Sequence, residues 1–496
     1  MLPLLWICSV LVVATYLTGP LIDPDLWWHL TVGRWILHHS EIPSVELWNR
    51  FALGKPWVAY SWSNEVLFAA VDGFYGIHGL LVLKLCLLVG LGFSLAYCFS
   101  VLAKDRYFGV LLAALTLAGC SAHATLRPQT ITWIYLSWLI LACHRIETKG
   151  IRPRYLVQVA LLLMLWANTH ITTAIALGVV GGWTISGMQI SRAVKVVSVG
   201  FLGTLLTPYL GWEWIIFLSK TGHPLEYQAI AEFQPATILF YPTGFLSIVA
   251  TFLGFFEFQR PGFLSKEKLL VAFILVLASL AIVKFMPIAV IVIAALVAEQ
   301  WGSSTDRIAD YGNIAEGIER LKRLIFRLPK EGLAFVLLCM VVVNVVKLWR
   351  GPVDITFLPK QAVDFMLEKK LPHPFANDFG HGGYLMYRMA EPDGTLQFPV
   401  AIDGRTNVTP HDIMAKFLHA FRGLVDWHDY LDVTAPKTIL WKLESPLSAL
   451  LIESPEWCEV FRDGDVEVGH IVFVERKEYE RNFSELPSPD CPTPQA

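Results

Sequence analysis

Charged residues are scarce in this sequence. They make up 16% of the 496 residues, while 55% are hydrophobic and the mean hydropathy is +0.52. Soluble domains carry roughly 25% charged residues, so the shortage excludes an ordinary soluble domain and points to a polytopic membrane protein. Basic clusters are missing too, and the formal net charge is −3, so nothing favours nucleic acid as a partner. Of the eight cysteines, those at 8, 86, 98, 120, 143 and 339 fall in apolar segments, as small core residues do. Cys458 and Cys491 lie in the polar C-terminal part, where they can pair but make no framework. There is no Walker loop, Rossmann fingerprint, HExxH or paired CxxC, which leaves an ATP-driven pump or a zinc protease without support. No internal repeat is present. Residues 3–19 lack a basic leader and a small-residue cleavage site, and therefore read as a permanent first helix.

Long apolar runs are abundant. They occur at 3–20, 78–102, 107–123, 128–144, 155–168, 171–189, 194–210, 243–257, 268–284, 286–300 and 333–349. With about 20 apolar residues needed per crossing, this predicts about eleven transmembrane helices. Loop charges orient them. With the N-terminus in the cytoplasm, the inner loops hold Lys104, Arg106, Arg145, Lys149, Arg152, Arg154, Arg192, Lys195, Arg260, Lys266, Lys268, Arg307, Arg320, Lys322, Arg323, Arg327 and Lys330. The outer side holds only Arg34, Arg50, Lys55, Arg127, Lys220 and Lys284. The loop after the first span, Arg127, the Asn168-Thr169-His170 turn, the 210–242 loop, Lys284 and everything after 350 then share the outer face. Ionisable groups at a membrane boundary mark function by default.

Composition divides the chain into a transmembrane domain, 1–350, and a C-terminal extracytoplasmic α/β domain, 351–478. Residues 22–76 form a first outer loop with interfacial helices. The Pro/Ser-rich tail 479–496 is expected to be disordered. In the α/β part, PKQAVDFMLEKK (359–370), HDIMAKFLHAFRGLVDWHDYL (411–431) and SPLSALLI (445–452) read as helices. FPVAIDG (398–404), TILWKL (438–443) and VEVGHIVFVER (466–476) read as strands.

The first outer loop carries the densest chemistry. It begins DPDLWWHLTVGRWILHH at Asp23 and holds tryptophans 27, 28, 35, 48, 57 and 62. Tryptophan rings settle at headgroup depth, so the loop is expected to lie on the bilayer. Asp23-Pro24-Asp25 suits the start of a helix. It equally suits a general base that deprotonates an acceptor hydroxyl or amine attacking a sugar's anomeric carbon. The second carboxylate can orient the acceptor or help hold a divalent cation, Mg or Mn. His29 lies four residues after Asp25 on one helical face, as half a metal site or as part of a polar stripe. Arg34 can meet a phosphate or lipid headgroups. Glu65 offers helix first-turn charge or a second carboxylate for the same cavity.

Arg127 precedes Pro128 in a short outer turn. Arginine holds phosphate through a bidentate fork, as a polyprenyl-phosphate leaving group requires, although snorkelling also explains it. His170 and Lys284 lie at similar depth as candidates for the same role. In the outer domain, NDFGHGGYL (377–385) and IDGRTN (402–407) allow close backbone approach. Asp403 and Arg405 can bind a sugar or anion, or close a strand-ending turn as a pair.

The run DPDLWWHLTVGRWIL, followed by IP, GKPWV, a tryptophan and a glutamate, resembles the first outer loop of bacterial GT-C superfamily glycosyltransferase-like proteins. These are distant relatives of protein mannosyltransferases, aminoarabinose transferases and oligosaccharyltransferases. LRPQ (126–129), LWANTH (165–170), LLTPYL (205–210), NDFGHGGYL and IDGR extend the resemblance over most of the chain. The chain departs from the family at Tyr60-Ser61-Trp62, where HEW is frequent, and at LWANTH, where a Gly-containing LWANLHGG is expected. The resemblance implies a GT-C arrangement of helices and inverting transfer from a polyprenyl-phosphate-linked sugar on the outer face. It places the catalytic base at Asp25 or Asp23, with Asp25 favoured because Asp23 better suits the cap.

The expected function is a cell-envelope glycosyltransferase, in the bacterial inner membrane, serving a glycan, lipid or protein acceptor. A nucleotide sugar is not the expected donor, because the polar candidates lie outside. The alternative is a non-catalytic GT-C-like scaffold that binds a lipid or a membrane assembly. A transporter would need a midplane site in broken helices, and the ionisable groups gather at one face instead.

Overall fold

The structure, a computed structural model, describes residues 14, 17–220, 231–237, 244, 248, 266–304, 320, 330–354, 358–405, 407–464, 469–489 and 491. In chain order its helices begin with α1 (Leu26–His39), α2 (Trp62–Ala103), α3 (Arg106–Gly119) and α4 (Pro128–Lys149). Then come α5 (Pro153–Ala167), α6 (Thr173–Gly187), α7 (Ile190–Thr204), α8 (Trp212–Lys220), α9 (Lys266–Ala281), α10 (Met286–Ser304) and α11 (Lys330–Arg350). The C-terminal part runs α12 (Lys360–Glu368), β1 (Phe375–Asn377), α13 (Gly382–Met389), α14 (His411–Arg422), α15 (His428–Thr434) and β2 (Thr438–Lys442). It ends with α16 (Pro446–Ile452), β3 (Trp457–Asp463) and β4 (His470–Glu475).

Two compact units emerge. The first comprises Met1–Leu21, Ile77–Thr221 and Ile230–Pro352; the second comprises Ile22–Gly76, Gly222–Ala229 and Val353–Ala496. The loop 22–76, which composition groups with the membrane domain, thus clusters with the C-terminal residues.

The first unit is helical. α5 packs on α4 and α7, α9 on α6 and α10, and α10 on α3. α10 is apolar all round, and Ile288 to Ala298 are nearly all fully buried, so it forms the centre of this unit. The outward faces are apolar as well. Leu270, Phe273, Ile274 and Leu277 on α9, and Leu338, Val342, Val343 and Trp349 on α11, are each more than half exposed. Contiguous apolar surface of this kind is costly in water and suits lipid, so this is a membrane protein. The apolar segments predicted between 78 and 210 and between 268 and 349 are all helical. Among the described residues, Trp62–Ala103 and Val283–Ser303 are long and apolar enough to cross a membrane by length and composition. Others are shorter: α5 has 15 residues, about 22 Å at 1.5 Å per residue. Most of the predicted span 3–20, nearly all of 243–257 and much of the 210–242 loop lie outside the described residues.

In the second unit, α1 packs on α13. The sheet order is β1-β2-β4-β3, with β1 parallel to β2 and the other pairs antiparallel. Its core gathers Phe417, Tyr430, Trp441, Leu447 and Phe473 between sheet and helices. The segment FPVAIDG forms no ladder. Pro399 has no N–H to donate, the Ile402 carbonyl is taken by Asn377 Nδ2 at 2.8 Å, and Val400 makes only a lone bridge to Asn49. The predicted helix 411–431 is two helices, because Gly423 takes a left-handed φ of 64° and closes α14. β1, α13 and β3 were not expected from sequence periodicity.

The tail is not disordered up to Cys491. Tyr479 is buried and donates to the Leu486 carbonyl at 2.7 Å, and Cys458 and Cys491 form a disulfide across 33 residues. Closing such a loop restrains the unfolded chain, so Cys491→Ser is expected to cost about 3 kcal/mol. Thermal or urea unfolding of oxidised protein checks this, and an unchanged midpoint would show that the tail contributes nothing.

Candidate active site

The second unit brings both sequence motifs of its C-terminal part onto the Asp23-Pro24-Asp25 turn. Asp23 is buried, and its Oδ1 accepts the Asp25 N–H at 3.0 Å. Asp25 stands at the N-cap of α1 by backbone position, yet its carboxylate caps no amide. The cap duty therefore falls to Asp23. The half-buried Asp25 carboxylate lies against the backbone of IDGR: a Cβ on Gly404 would come within 2.2 Å of Asp25 Oδ1. Gly383, from NDFGHGGYL, lies against Pro24 and Trp28 in the same way. Gly404→Ala is expected to push the carboxylate aside at a folding cost of about 1–3 kcal/mol. Turnover should fall further than this stability loss explains, as paired activity and melting measurements would show.

Behind the turn lies a buried ionic core. Arg405 is 2% exposed. Its Nε donates to Asp403 Oδ1 at 2.8 Å, and Nη1 and Nη2 donate to the two oxygens of Glu46 at 2.8 Å each. Burial opposes the charge, but Asp403 and Glu46 outweigh it and raise the pKa above the usual arginine value. The rings of Trp57, Trp48 and Trp28 lie 5.0, 5.6 and 6.0 Å from the guanidinium, a cation–π arrangement. Glu46 also accepts the amides of Trp48 and Asn49. Asp403 and Arg405 thus close their own turn as a pair and are fully engaged by the protein.

Four of the six tryptophans of the loop are buried within the unit and not laid out on its surface. Trp27, Trp28, Trp48 and Trp57 are each 6% exposed or less. They pack inside the unit, with Trp27 against Tyr384 and Tyr387 and Trp48 against Trp57. A buried guanidinium with two carboxylates needs a polarisable apolar wall, and these rings supply it.

His29 and Glu65 meet. His29 Nδ1 lies 3.3 Å from Glu65 Oε1, which also accepts the Ser61 hydroxyl at 2.8 Å. Close packing of α1 on the start of α2 makes this possible, since a Cβ on Gly33 would strike the Glu65 carbonyl at 1.9 Å. Glu65 Oε2 and the indole N–H groups of Trp28 and Trp57 are buried and lack partners among the described residues. Orphaned buried groups cost roughly 1–3 kcal/mol each and so call for an explanation. Arg34 is taken by Asp72 at 2.8 Å and stacks over Tyr387, so it faces protein groups rather than a headgroup.

The first unit holds a second cluster. Arg127, at the N-cap of α4, hydrogen-bonds Glu232, and Lys284 Nζ lies 3.6 Å from the other oxygen of that carboxylate. Burial would raise the Glu232 pKa, but Arg127, Lys284 and His123 pull it down to about 2. His170 closes its own turn, its Nδ1 lying 2.9 Å from the Thr172 hydroxyl. The structure thus joins two of the three sequence candidates, Arg127 and Lys284, through a carboxylate that sequence reasoning passed over. Only cations were tallied along the outer loops, and Glu232 was the complementary signal.

Among the described residues, two groups place three metal-capable atoms within 4.8 Å of one another: His38, His39, Asp393 and His144, Glu147, Glu299. In the second group the Lys268 ammonium already pairs with Glu147 at 2.8 Å and Glu299 at 3.0 Å. Neither group contains Asp23, Asp25 or His29. No step of the reaction proposed here is routed through a metal.

No family model matches this sequence, and no curated protein matches it by sequence. Solved structures do match. Oligosaccharyltransferase AglB from Archaeoglobus fulgidus, in complex with an inhibitory peptide and a dolichol-phosphate, aligns with TM-score 0.54 at 10% identity, over 92% of this chain and 73% of that one. ArnT from Cupriavidus metallidurans, bound to undecaprenyl phosphate, aligns with TM-score 0.54 at 15% identity, over 95% of this chain and 97% of that one. The chain has the GT-C fold. At such identities the likeness concerns the fold alone.

Proposed function

We propose that this GT-C chain is an inverting membrane glycosyltransferase. It moves a sugar from a polyprenyl-phosphate donor to a glycan, lipid or protein acceptor at the outer face of the bacterial inner membrane. The observation that carries it is the division of labour at the turn: Asp23 holds the helix start, which leaves the Asp25 carboxylate out of the cap. The fold adds support, because the solved proteins that share it are a glycan transferase and a protein bound to undecaprenyl phosphate.

Asp25 acts as general base. It takes the proton of the acceptor hydroxyl or amine as that atom bonds to the anomeric carbon from the face opposite the phosphate. The carbon–oxygen bond to phosphate breaks, its electron pair stays on the phosphate oxygen, and configuration inverts. Within the first unit, the Arg127 and Lys284 pair has the charge to hold a donor phosphate. Glu65 and His29 support α1 beneath the base. The Cys458–Cys491 disulfide suits an oxidising compartment, in agreement with the loop charges that put the C-terminal domain outside and the N-terminus in the cytoplasm.

The test is mass spectrometry of lipid that co-purifies in nanodiscs, together with transfer from a radiolabelled polyprenyl-phosphate sugar in vesicles. A polyprenyl phosphate or its glycoside is expected, with label moving to acceptor. Bulk phospholipid alone, with no transfer, would favour the scaffold.

A further inference from the structure

The cluster at Arg127 contains a group that phosphate binding alone does not require. Glu232 stands beside two cations of opposite sign to itself. Its side chain is about a quarter exposed, and the backbone two and four residues further on is held. The Gln234 carbonyl accepts from Val283 N–H at 3.1 Å, Ala236 N–H donates to Leu280 at 3.0 Å, and Lys284 lies over the Phe233 ring at 5.3 Å. These contacts hold the segment that carries Glu232 against the Lys284 turn.

We propose that Glu232 sets the net charge of this phosphate-binding cluster, so that it favours a singly charged phosphodiester over a dianionic phosphomonoester or a diphosphate. The proposal rests on the reading above in which Arg127 and Lys284 hold the donor phosphate. The charge count is simple. Among the described groups of the cluster, Arg127 and Lys284 contribute two positive charges and Glu232 removes one, which leaves one. A polyprenyl-phosphate sugar carries a single negative charge and balances it.

Transfer changes the ligand. The carbon–oxygen bond breaks with its electron pair left on phosphate, and the acceptor proton goes to Asp25. The phosphodiester becomes a phosphomonoester of charge about −1.5 to −2 at pH 7. Beside a fixed carboxylate the extra charge is repelled, so the spent carrier leaves. A diphosphate carrier meets the same repulsion on arrival. Glu232 is thus a specificity residue that also speeds release.

The experiment measures binding of undecaprenyl phosphate and of an undecaprenyl-phosphate hexose to the full chain in nanodiscs. Glu232→Gln is expected to tighten the monoester about tenfold while changing the diester little, and to make the monoester a stronger product inhibitor. Glu232→Asp keeps the charge and should keep the wild-type ratio. Lys284→Gln lowers the count by one and should shift the ratio the other way, which serves as the readout should Glu232→Gln fail to fold. A ratio of monoester to diester affinity unmoved in both Gln variants would overturn the proposal. Arg127→Ala separates the two levels: if it weakens neither ligand, the phosphate reading itself fails. If it weakens both while the ratio stays constant in the Gln variants, only the role of Glu232 fails.

Discussion

Asp25→Asn is expected to reduce turnover by about 10²–10⁴-fold, the usual contribution of a positioned general base. The side chain keeps its shape and loses only its ability to take a proton. The Asp25 carboxylate caps no amide of α1, so the helix cap is kept and the fall in turnover should exceed what any loss of melting temperature explains. Asp23 should behave in the opposite way. Its Oδ1 accepts the Asp25 N–H at 3.0 Å, so Asp23→Ala is expected to cost about 1 kcal/mol of stability. The accompanying fall in rate should be smaller than that of Asp25→Asn. Steady-state transfer rates and unfolding midpoints for the two variants give a crossed pattern. Full activity in Asp25→Asn would remove the assigned base, and a large rate loss in Asp23→Ala alone would move that role two residues earlier.

The largest effect on stability is expected at Arg405. Replacing it with methionine keeps most of the volume and leaves Asp403 and Glu46, both 1% exposed or less, facing each other without their cation. Breaking a buried ion pair from one side costs about 3–5 kcal/mol, and three tryptophan rings lose their cation as well. Arg405→Lys should fall between, since an ammonium cannot reproduce a fork that bonds both carboxylates at once. Urea unfolding followed by tryptophan fluorescence is the measurement, because Trp28, Trp48 and Trp57 surround the site. A change below about 1 kcal/mol would mean that the carboxylates find other partners and that the cluster is not the keystone of this unit.

Much of the architecture was legible along the chain. Apolar runs located helices between 78 and 349 because a helix facing lipid outside and protein inside must be apolar on nearly every side. The amphipathic stretches at 359–370 and 445–452 became α12 and α16 because one face of each is buried against a sheet. Cys458 and Cys491, singled out because they alone fell in polar sequence, form the disulfide. Where local pattern misled, a tertiary demand prevailed. Gly423 divides a helix that periodicity runs through, and three of the six tryptophans assigned to the bilayer, Trp28, Trp48 and Trp57, surround Arg405 instead.

Composition and local pattern by themselves determined a membrane protein of many helices with a polar α/β region after residue 350. They also picked out the Asp23–Asp25 turn, Arg127 and Lys284 as places for chemistry, because charge is rare in apolar surroundings and therefore conspicuous. Only the tertiary structure showed that the Asp25 carboxylate caps no amide of α1. It also brought Gly404, 379 positions from Asp25, against that carboxylate, and put Glu232 beside cations 105 residues away and farther on. Long-range pairings leave no mark in sequence spacing. They follow from which buried charges find partners when the chain closes, since an unpaired charge in a low-dielectric interior costs more than any local preference can return.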